Sequence, residues 1–145
     1  MGYNTDFQGQ LTFTHIPTAP ELAELNRMFG EDCRDHPEWD VYGGMGLSYI
    51  DLRLTRDFAG IEWDNETEKT YDLPDKVNVV IRRMRATWPG FGLTGQLAAQ
   101  GEDLTDRWAL VIGDDGLARR VDIVLTGQVV ACPDCGHTFV LEGAA

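Results

Sequence analysis

An apolar repeat with spacings of three and four runs through the stretch Pro74-Asp75-Lys76-Val77-Asn78-Val79-Val80-Ile81-Arg82-Arg83-Met84-Arg85-Ala86-Thr87-Trp88. In a helix with 3.6 residues per turn, these apolar side chains share one narrow side. Pro74 suits the first turn, because the N–H that it lacks would have no partner there. The stretch therefore predicts an amphipathic helix over about residues 75–87, whose apolar side is formed by Val77, Val80, Ile81, Met84 and Trp88.

The three arginines of this stretch fall outside the apolar side. We interpret Arg82, Arg83 and Arg85 as a solvated surface that offsets nearby acidic residues. The alternative is a phosphate-binding cluster.

A second helix is predicted earlier in the chain. Thr18 is a good N-cap, and Pro20 and Glu21 suit a first turn, where a missing N–H costs little and a negative charge meets the helix dipole. Leu22, Leu25 and Phe29 form its apolar stripe. Gly30 is predicted to end this helix as a left-handed cap.

Strand-like stretches surround both helices. Alternation of apolar and polar residues, or short apolar runs between turn residues, predicts strands at residues 9–16, 47–54, 61–64, 93–99, 108–112 and 118–125. The resulting order is β, α, β, β, α, β, β, β. This order predicts the α+β class: an antiparallel sheet with two helices packed on one face. We expect one domain over residues 1–126, with residues 127–145 appended as a hairpin.

The appended hairpin carries a metal-knuckle motif, Cys132-Pro133-Asp134-Cys135-Gly136. Two thiols three positions apart, between two strand-like runs, are typical of half a zinc ribbon. Cys33 and His36 are candidates for the other two ligands, which would give a structural Cys₃His zinc site. Alternatively, two knuckles from two chains share one zinc and form a homodimer. A further interpretation makes Cys33 a small buried residue and His36 a surface residue.

Two acidic groups are candidates for a cation site or for general acid–base chemistry. Glu62 and Asp64 stand two apart on a predicted strand, and a predicted turn holds Glu102, Asp103 and Asp106. The alternative is that they are ordinary turn and surface acids. His36 and Glu38, with the two cysteines of the knuckle, also permit a zinc-deaminase arrangement.

Charge and composition narrow the class of partner. Twelve basic against twenty-four acidic residues give this chain of 145 residues a net charge of −12. This charge opposes binding to nucleic acid or to anionic membranes, and it leaves an acidic nucleic-acid mimic as an alternative. Three cysteines make no disulfide framework, and neither a secretion signal nor a membrane span is apparent. We therefore expect a cytoplasmic protein.

Several stretches together resemble a known family. They are Met1-Gly2-Tyr3-Asn4-Thr5-Asp6-Phe7-Gln8-Gly9, Ile61-Glu62-Trp63-Asp64, Glu68-Lys69-Thr70-Tyr71, Leu93-Thr94-Gly95 and Gln100-Gly101-Glu102-Asp103. Over about residues 1–112 the chain resembles an uncharacterised family of small proteins of bacteria and their phages, a domain of unknown function. The resemblance implies a phage or prophage accessory protein in a bacterial host cell. It implies no particular chemistry.

The favoured prediction is a small acidic protein-interaction module with a structural zinc and an unidentified protein partner. Trp39, Tyr42 and Trp63, if exposed, would anchor that partner, because aromatic residues carry much of the energy of interfaces. The alternatives are a metal-dependent hydrolase or deaminase-like enzyme and the acidic mimic.

Overall fold

The computed structural model describes residues 3–39, 49–67 and 70–123, together with two C-terminal strands. Its helices are α1 (Ala19–Phe29) and α2 (Leu73–Thr87), and two single 3₁₀ turns follow α1 at Cys33–Asp35 and Pro37–Trp39. The strands are β1 (Thr5–Phe13), β2 (Leu52–Leu54), β3 (Gly60–Trp63), β4 (Leu93–Gly101), β5 (Arg107–Ile112), β6 (Ala118–Asp122), β7 (Gly127–Ala131) and β8 (Thr138–Glu142). The predicted order of elements and the α+β class are confirmed.

Six strands form one antiparallel sheet in the order β2-β3-β1-β4-β5-β6. The two longest strands, β1 and β4, pair over nine residues, from Thr5 opposite Gly101 to Phe13 opposite Leu93. Strand β1 begins four residues before the predicted start and ends before His15. The predicted start is too late, because the residues between Asp6, Gln8 and Gln10 include few apolar side chains that would mark a strand.

The core lies between the sheet and the two helices. Along β1, Phe7, Leu11 and Phe13 are buried, whereas Gln8 and Gln10 between them are exposed. These buried residues share one hydrophobic cluster with residues of α1 and α2. The predicted stripe of α2 is confirmed, since four of its five residues are fully buried and Trp88 packs against the cluster: Val77, Val80, Ile81 and Met84.

Of the two predicted ends of α1, only the N-terminal one is confirmed. Thr18 and Glu21 form a capping box, in which the Thr18 side chain accepts from the Glu21 N–H. The predicted left-handed cap at Gly30 is wrong, because its φ of −92° is right-handed. The chain does not reverse there: the N–H of Gly30 donates to the carbonyl of Arg27, and the first 3₁₀ turn follows within three residues.

One charged residue of α2 is buried with the apolar ones. Lys76 is 2% exposed, and its Nζ lies 2.6 Å from Oδ2 of Asp51, which is itself largely buried. Asp51 has a left-handed backbone, with φ of 62°. Its carbonyl also accepts a hydrogen bond from the N–H of Asp64. The ion pair therefore ties α2 to the start of the β2–β3 hairpin.

A second polar residue of α2 covers part of the sheet edge. Strand β6 is the last strand of the six, so alternate N–H and C=O groups face away from β5. The side-chain amide of Asn78 donates to the Ala118 carbonyl at 2.9 Å and accepts from the Ala118 N–H at 2.7 Å. Asn78 thus takes the hydrogen bonds that a seventh strand would make at this position.

The strands β7 and β8 pair with each other in a separate two-stranded antiparallel sheet, with Val129 opposite Val140. The turn between them, which carries Cys132 and Cys135, lies outside the described residues. Within the part of the chain that the structure describes, no helix is long and apolar enough to cross a membrane.

The buried ion pair predicts a specific pattern of stability. Lys76→Met should lower the free energy of unfolding by about 3–5 kcal/mol, because it leaves the Asp51 carboxylate buried without its partner. The double variant Lys76→Met/Asp51→Asn should recover roughly half of that loss or more, since asparagine tolerates the left-handed backbone and carries no charge. Urea denaturation measures both. Equal losses in the single and the double variant would contradict this account.

Candidate functional site

A cleft of 550 Å³ opens where the sheet extends past the first turn of α2. Residues from the start of β1, from the segment before α2, and from β5, β6 and the turn between β4 and β5 contribute to it. Its lining residues are Tyr3, Thr5, Thr70, Tyr71, Asp72, Asp106, Trp108 and Arg120.

Trp108 forms the aromatic floor of the cleft, and other aromatic rings pack behind it. Trp108 on β5 is buried, and its ring meets that of Phe7 edge to face, with centroids 5.4 Å apart. Phe7 meets Trp63 in the same manner at 5.5 Å. The Trp63 Nε1 donates to the Thr70 hydroxyl at 2.8 Å. Paired rings and a satisfied indole N–H hold this floor in place.

A cation already lies against this floor. The guanidinium carbon of Arg120 is 4.5 Å from the centre of the Trp108 ring, within the range of a cation–π contact. Its Nη2 lies 3.5 Å from Oδ1 of Asp106, and its Nε donates to Asp122 at 2.7 Å. The Arg120 side chain is still half exposed, so water screens these two ion pairs.

Tyr3 organises the acidic side of the cleft. Its hydroxyl donates to Oδ2 of Asp106 at 2.8 Å and accepts from the N–H of Asp103 at 2.9 Å. The Asp103 N–H acts to lower the pKa of Tyr3, but desolvation and the Asp106 carboxylate outweigh it, so this pKa is raised. Next to it, Glu102 accepts from the N–H of Asn4. Of the predicted turn acids, Asp106 lines the cleft and Asp103 contacts its lining residue Tyr3, whereas Glu102 bonds the neighbouring Asn4.

The other predicted acidic pair lies elsewhere. Glu62 and Asp64 on and after β3 face Arg53 of β2, at 3.3 Å and 3.9 Å from its guanidinium. The structure does not join them to the turn acids in one site. Over residues 3–39, 49–67 and 70–123, no group of three or more histidine, cysteine, aspartate or glutamate side chains is arranged to hold a metal ion.

The two described candidates for zinc ligands have other contacts. Cys33 is buried in the core, and this burial raises the pKa of its thiol, which disfavours the thiolate that zinc requires. His36 bonds a carboxylate at each ring nitrogen: Nδ1 contacts Glu38 at 2.8 Å, and Nε2 contacts Glu31. The other two candidates, Cys132 and Cys135, lie outside the described residues.

The two predicted aromatic anchors within the described residues are not fully exposed. Trp39 is only 4% exposed and stacks on the His36 ring at 4.1 Å, so it is part of the packed structure. Trp63 is half-buried under the cleft, and Tyr42 lies outside the described residues. Trp39 therefore does not meet the condition of exposure on which its proposed role depended.

Sequence reasoning missed most of the cleft. It singled out Asp106 but not Tyr3, Tyr71, Trp108 or Arg120, because these residues stand far apart in the chain and meet only through strand register. The sequence pattern places Trp108 and Arg120 in predicted strands and marks neither as a site residue. A local signal for Tyr3 existed in the distinctive N-terminal stretch, although nothing in it indicated a partner a hundred residues away.

The contacts of His36 predict a pH-dependent stability. The Glu38 hydrogen bond, helped by Glu31 and opposed by desolvation, raises the pKa of His36 in the folded state. The stability that protonated His36 contributes should therefore be fully present below the unfolded pKa of about 6.5. It should be lost as the pH rises through the folded pKa. The melting temperature of the parent should exceed that of His36→Gln at low pH, and the gap should narrow toward alkaline pH.

Arg27, which is bonded to Glu31, and Arg83, which lies near Glu38, also face this cluster. Thermal melts of both proteins at several pH values, under one ionic strength, measure the effect. A gap that stays constant with pH, or that widens toward alkaline pH, would refute the assignment.

Comparisons of the chain with protein-family models, with curated proteins and with solved structures found no match in any of the three. The resemblance to a family of small bacterial and phage proteins therefore stays a prediction. What can be concluded about function comes from the geometry of the cleft.

Proposed function

We propose that this protein is a protein-interaction module whose contact site is the cleft of Tyr3, Tyr71, Trp108 and Arg120. The observation that carries the proposal is the presence of two half-exposed tyrosines beside a rigid tryptophan floor in one concave surface. Tyrosine, tryptophan and arginine are the residues that dominate the binding energy of interfaces. The resemblance noted above adds the proposal of a phage or prophage accessory role inside a bacterial cell.

The polar groups of the cleft support recognition more than chemistry. Both oxygens of Asp106 have partners, the Tyr3 hydroxyl on one and Arg120 on the other. A hydrogen bond on one oxygen and an ion pair on the other position this carboxylate as an acceptor for a ligand. Nothing among the described residues favours the hydrolase or deaminase alternative through a metal.

The charge near the cleft indicates the class of partner. Among the described residues, Asp72 and Asp106 line the cleft, Asp103 and Asp122 contact its lining residues, and Arg120 is the one cation of the lining. The chain as a whole carries −12. Charge complementarity therefore favours a basic segment of a partner protein, whose association would be accelerated by this field and weakened by salt. In this view the acidic surface selects the partner protein. A role as a nucleic-acid mimic is then not needed to explain the charge.

Tyr71→Ala tests the cleft. A random peptide library displayed on phage, selected on the immobilised parent protein, should yield peptides that bind Tyr71→Ala at least about thirtyfold more weakly, the effect of one interface hot spot. Fluorescence polarisation with the labelled peptides measures this ratio.

Tyr49→Ala is the matched control, because Tyr49 is 48% exposed and lies outside the cleft. It should bind the selected peptides as the parent does. If the selected peptides bind all three proteins equally, the cleft is not the contact site and the proposal fails.

We further propose that Cys132 and Cys135 hold a structural zinc together with the same pair from a second copy of the chain, which makes a homodimer. The contacts of the other candidates support this choice over the Cys₃His site. Cys33 is buried with a raised thiol pKa, and His36 would have to give up a carboxylate at one of its two ring nitrogens. A shared shell of four thiolates is a common structural zinc site.

Zinc content distinguishes the two arrangements. Protein purified without a tag should contain about half an equivalent of zinc per chain, because two chains would share one four-thiolate site. Cys132→Ser should lose the zinc, whereas Cys33→Ala should retain it. Elemental analysis with light scattering measures zinc and dimer together. One equivalent per chain that is lost in Cys33→Ala would instead establish the Cys₃His site.

A further inference from the structure

We propose that the cleft is a guanidinium site, which binds an arginine side chain of the partner in the position that Arg120 now occupies. This inference rests on the proposed function, because it names the group that the cleft recognises. Arg120 then acts as an internal placeholder, and the partner's arginine must displace it.

The position of Arg120 shows which chemistry the cleft accepts. Its guanidinium lies 4.5 Å above the Trp108 ring, with one carboxylate at 3.5 Å and another at 2.7 Å. A flat, weakly hydrated cation over an indole face and beside carboxylates is the arrangement that arginine favours over lysine. Arg120 belongs to the edge strand β6, and its side chain is half exposed. Another cation can therefore compete for its contacts.

Asp106 is oriented for such a ligand. The Tyr3 hydroxyl takes Oδ2 at 2.8 Å, which leaves Oδ1 directed toward the guanidinium of Arg120. The N–H of Asp103 in turn holds the Tyr3 oxygen. Tyr3 and Asp103 thus fix the Asp106 carboxylate, whose Oδ1 is an acceptor beside the indole face. This arrangement does not depend on Arg120 itself.

The segment just before α2 supplies two further groups to the cleft. Tyr71 and Asp72 line it just before α2, and Tyr71 is 39% exposed. The Asp72 side chain makes no capping hydrogen bond to its own helix, since its backbone is left-handed with φ of 53°. A ligand side chain that enters between Trp108 and Tyr71 would therefore meet a second aromatic ring and a further carboxylate.

Removal of the placeholder provides the test. The probes are the end-capped tripeptides Gly-Arg-Gly, Gly-Lys-Gly and Gly-citrulline-Gly, and the shift of the Trp108 indole N–H in NMR titrations reports binding. Arg120→Gln should bind the arginine peptide about fivefold more tightly than the parent, because the site is no longer partly occupied. The citrulline peptide has nearly the same shape without the charge, and it should bind at least about tenfold more weakly than the arginine peptide.

Arg119→Gln is the matched control. Arg119 is the neighbouring residue of β6 and is exposed, and its side chain points to the other face of the sheet, since successive residues of a strand alternate. The Arg119→Gln variant loses the same charge but keeps Arg120 in the cleft. It should bind the arginine peptide as the parent does, apart from a small change from net charge. Thermal melts and near-ultraviolet circular dichroism confirm that both variants fold.

Three outcomes would overturn the inference: equal gains in Arg119→Gln and Arg120→Gln, equal binding of the arginine and citrulline peptides, or no binding of the arginine peptide to Arg120→Gln. None of these refutes the interaction module, because the selection with Tyr71→Ala uses a library without bias toward basic residues. Failure of both experiments would remove the cleft from consideration altogether.

Discussion

The buried ion pair between Lys76 and Asp51 is the constraint on which the arrangement of this fold depends. Two charges removed from water are tolerated only when they meet each other in good geometry, so this contact leaves α2 little freedom to slide or rotate. Asp51 transmits the constraint to the sheet, because its carbonyl accepts from Asp64 just after β3. Apolar packing alone would stabilise α2 on the sheet without specifying its position so narrowly.

The position of α2 in turn creates the cleft. The helix begins at Leu73, directly after Tyr71 and Asp72, and it lies along β6 closely enough for Asn78 to pair with Ala118. Among the described residues, the sheet beyond the N-terminal end of α2 has no helix above it, and Trp108 lies under this gap. Arg120 and Tyr3 border the same gap, so the site is a consequence of where the covering helix starts.

The cleft combines a closely packed aromatic floor with a half-exposed cation. Phe7 packs edge to face against both Trp63 and Trp108, whereas the contacts of Arg120 with the described residues are screened ion pairs and one ring face. Under the proposed function, such a division would suit recognition, because a packed floor would cost little entropy on binding and the half-exposed cation would set which ligand competes. The net charge of −12 favours the approach of a basic partner to this surface.

Local sequence determined the elements and their order. The stripe of Val77, Val80, Ile81 and Met84 and the capping residues Thr18 and Glu21 act within one or two turns of chain, so their patterns predict helices directly. Tertiary structure alone decided the buried charge of Lys76, the pairing of Tyr3 with Asp106 and the stacking of Arg120 on Trp108. These contacts join residues 25, 103 and 12 positions apart, and strand register together with the placement of α2, which no local pattern encodes, brings them together.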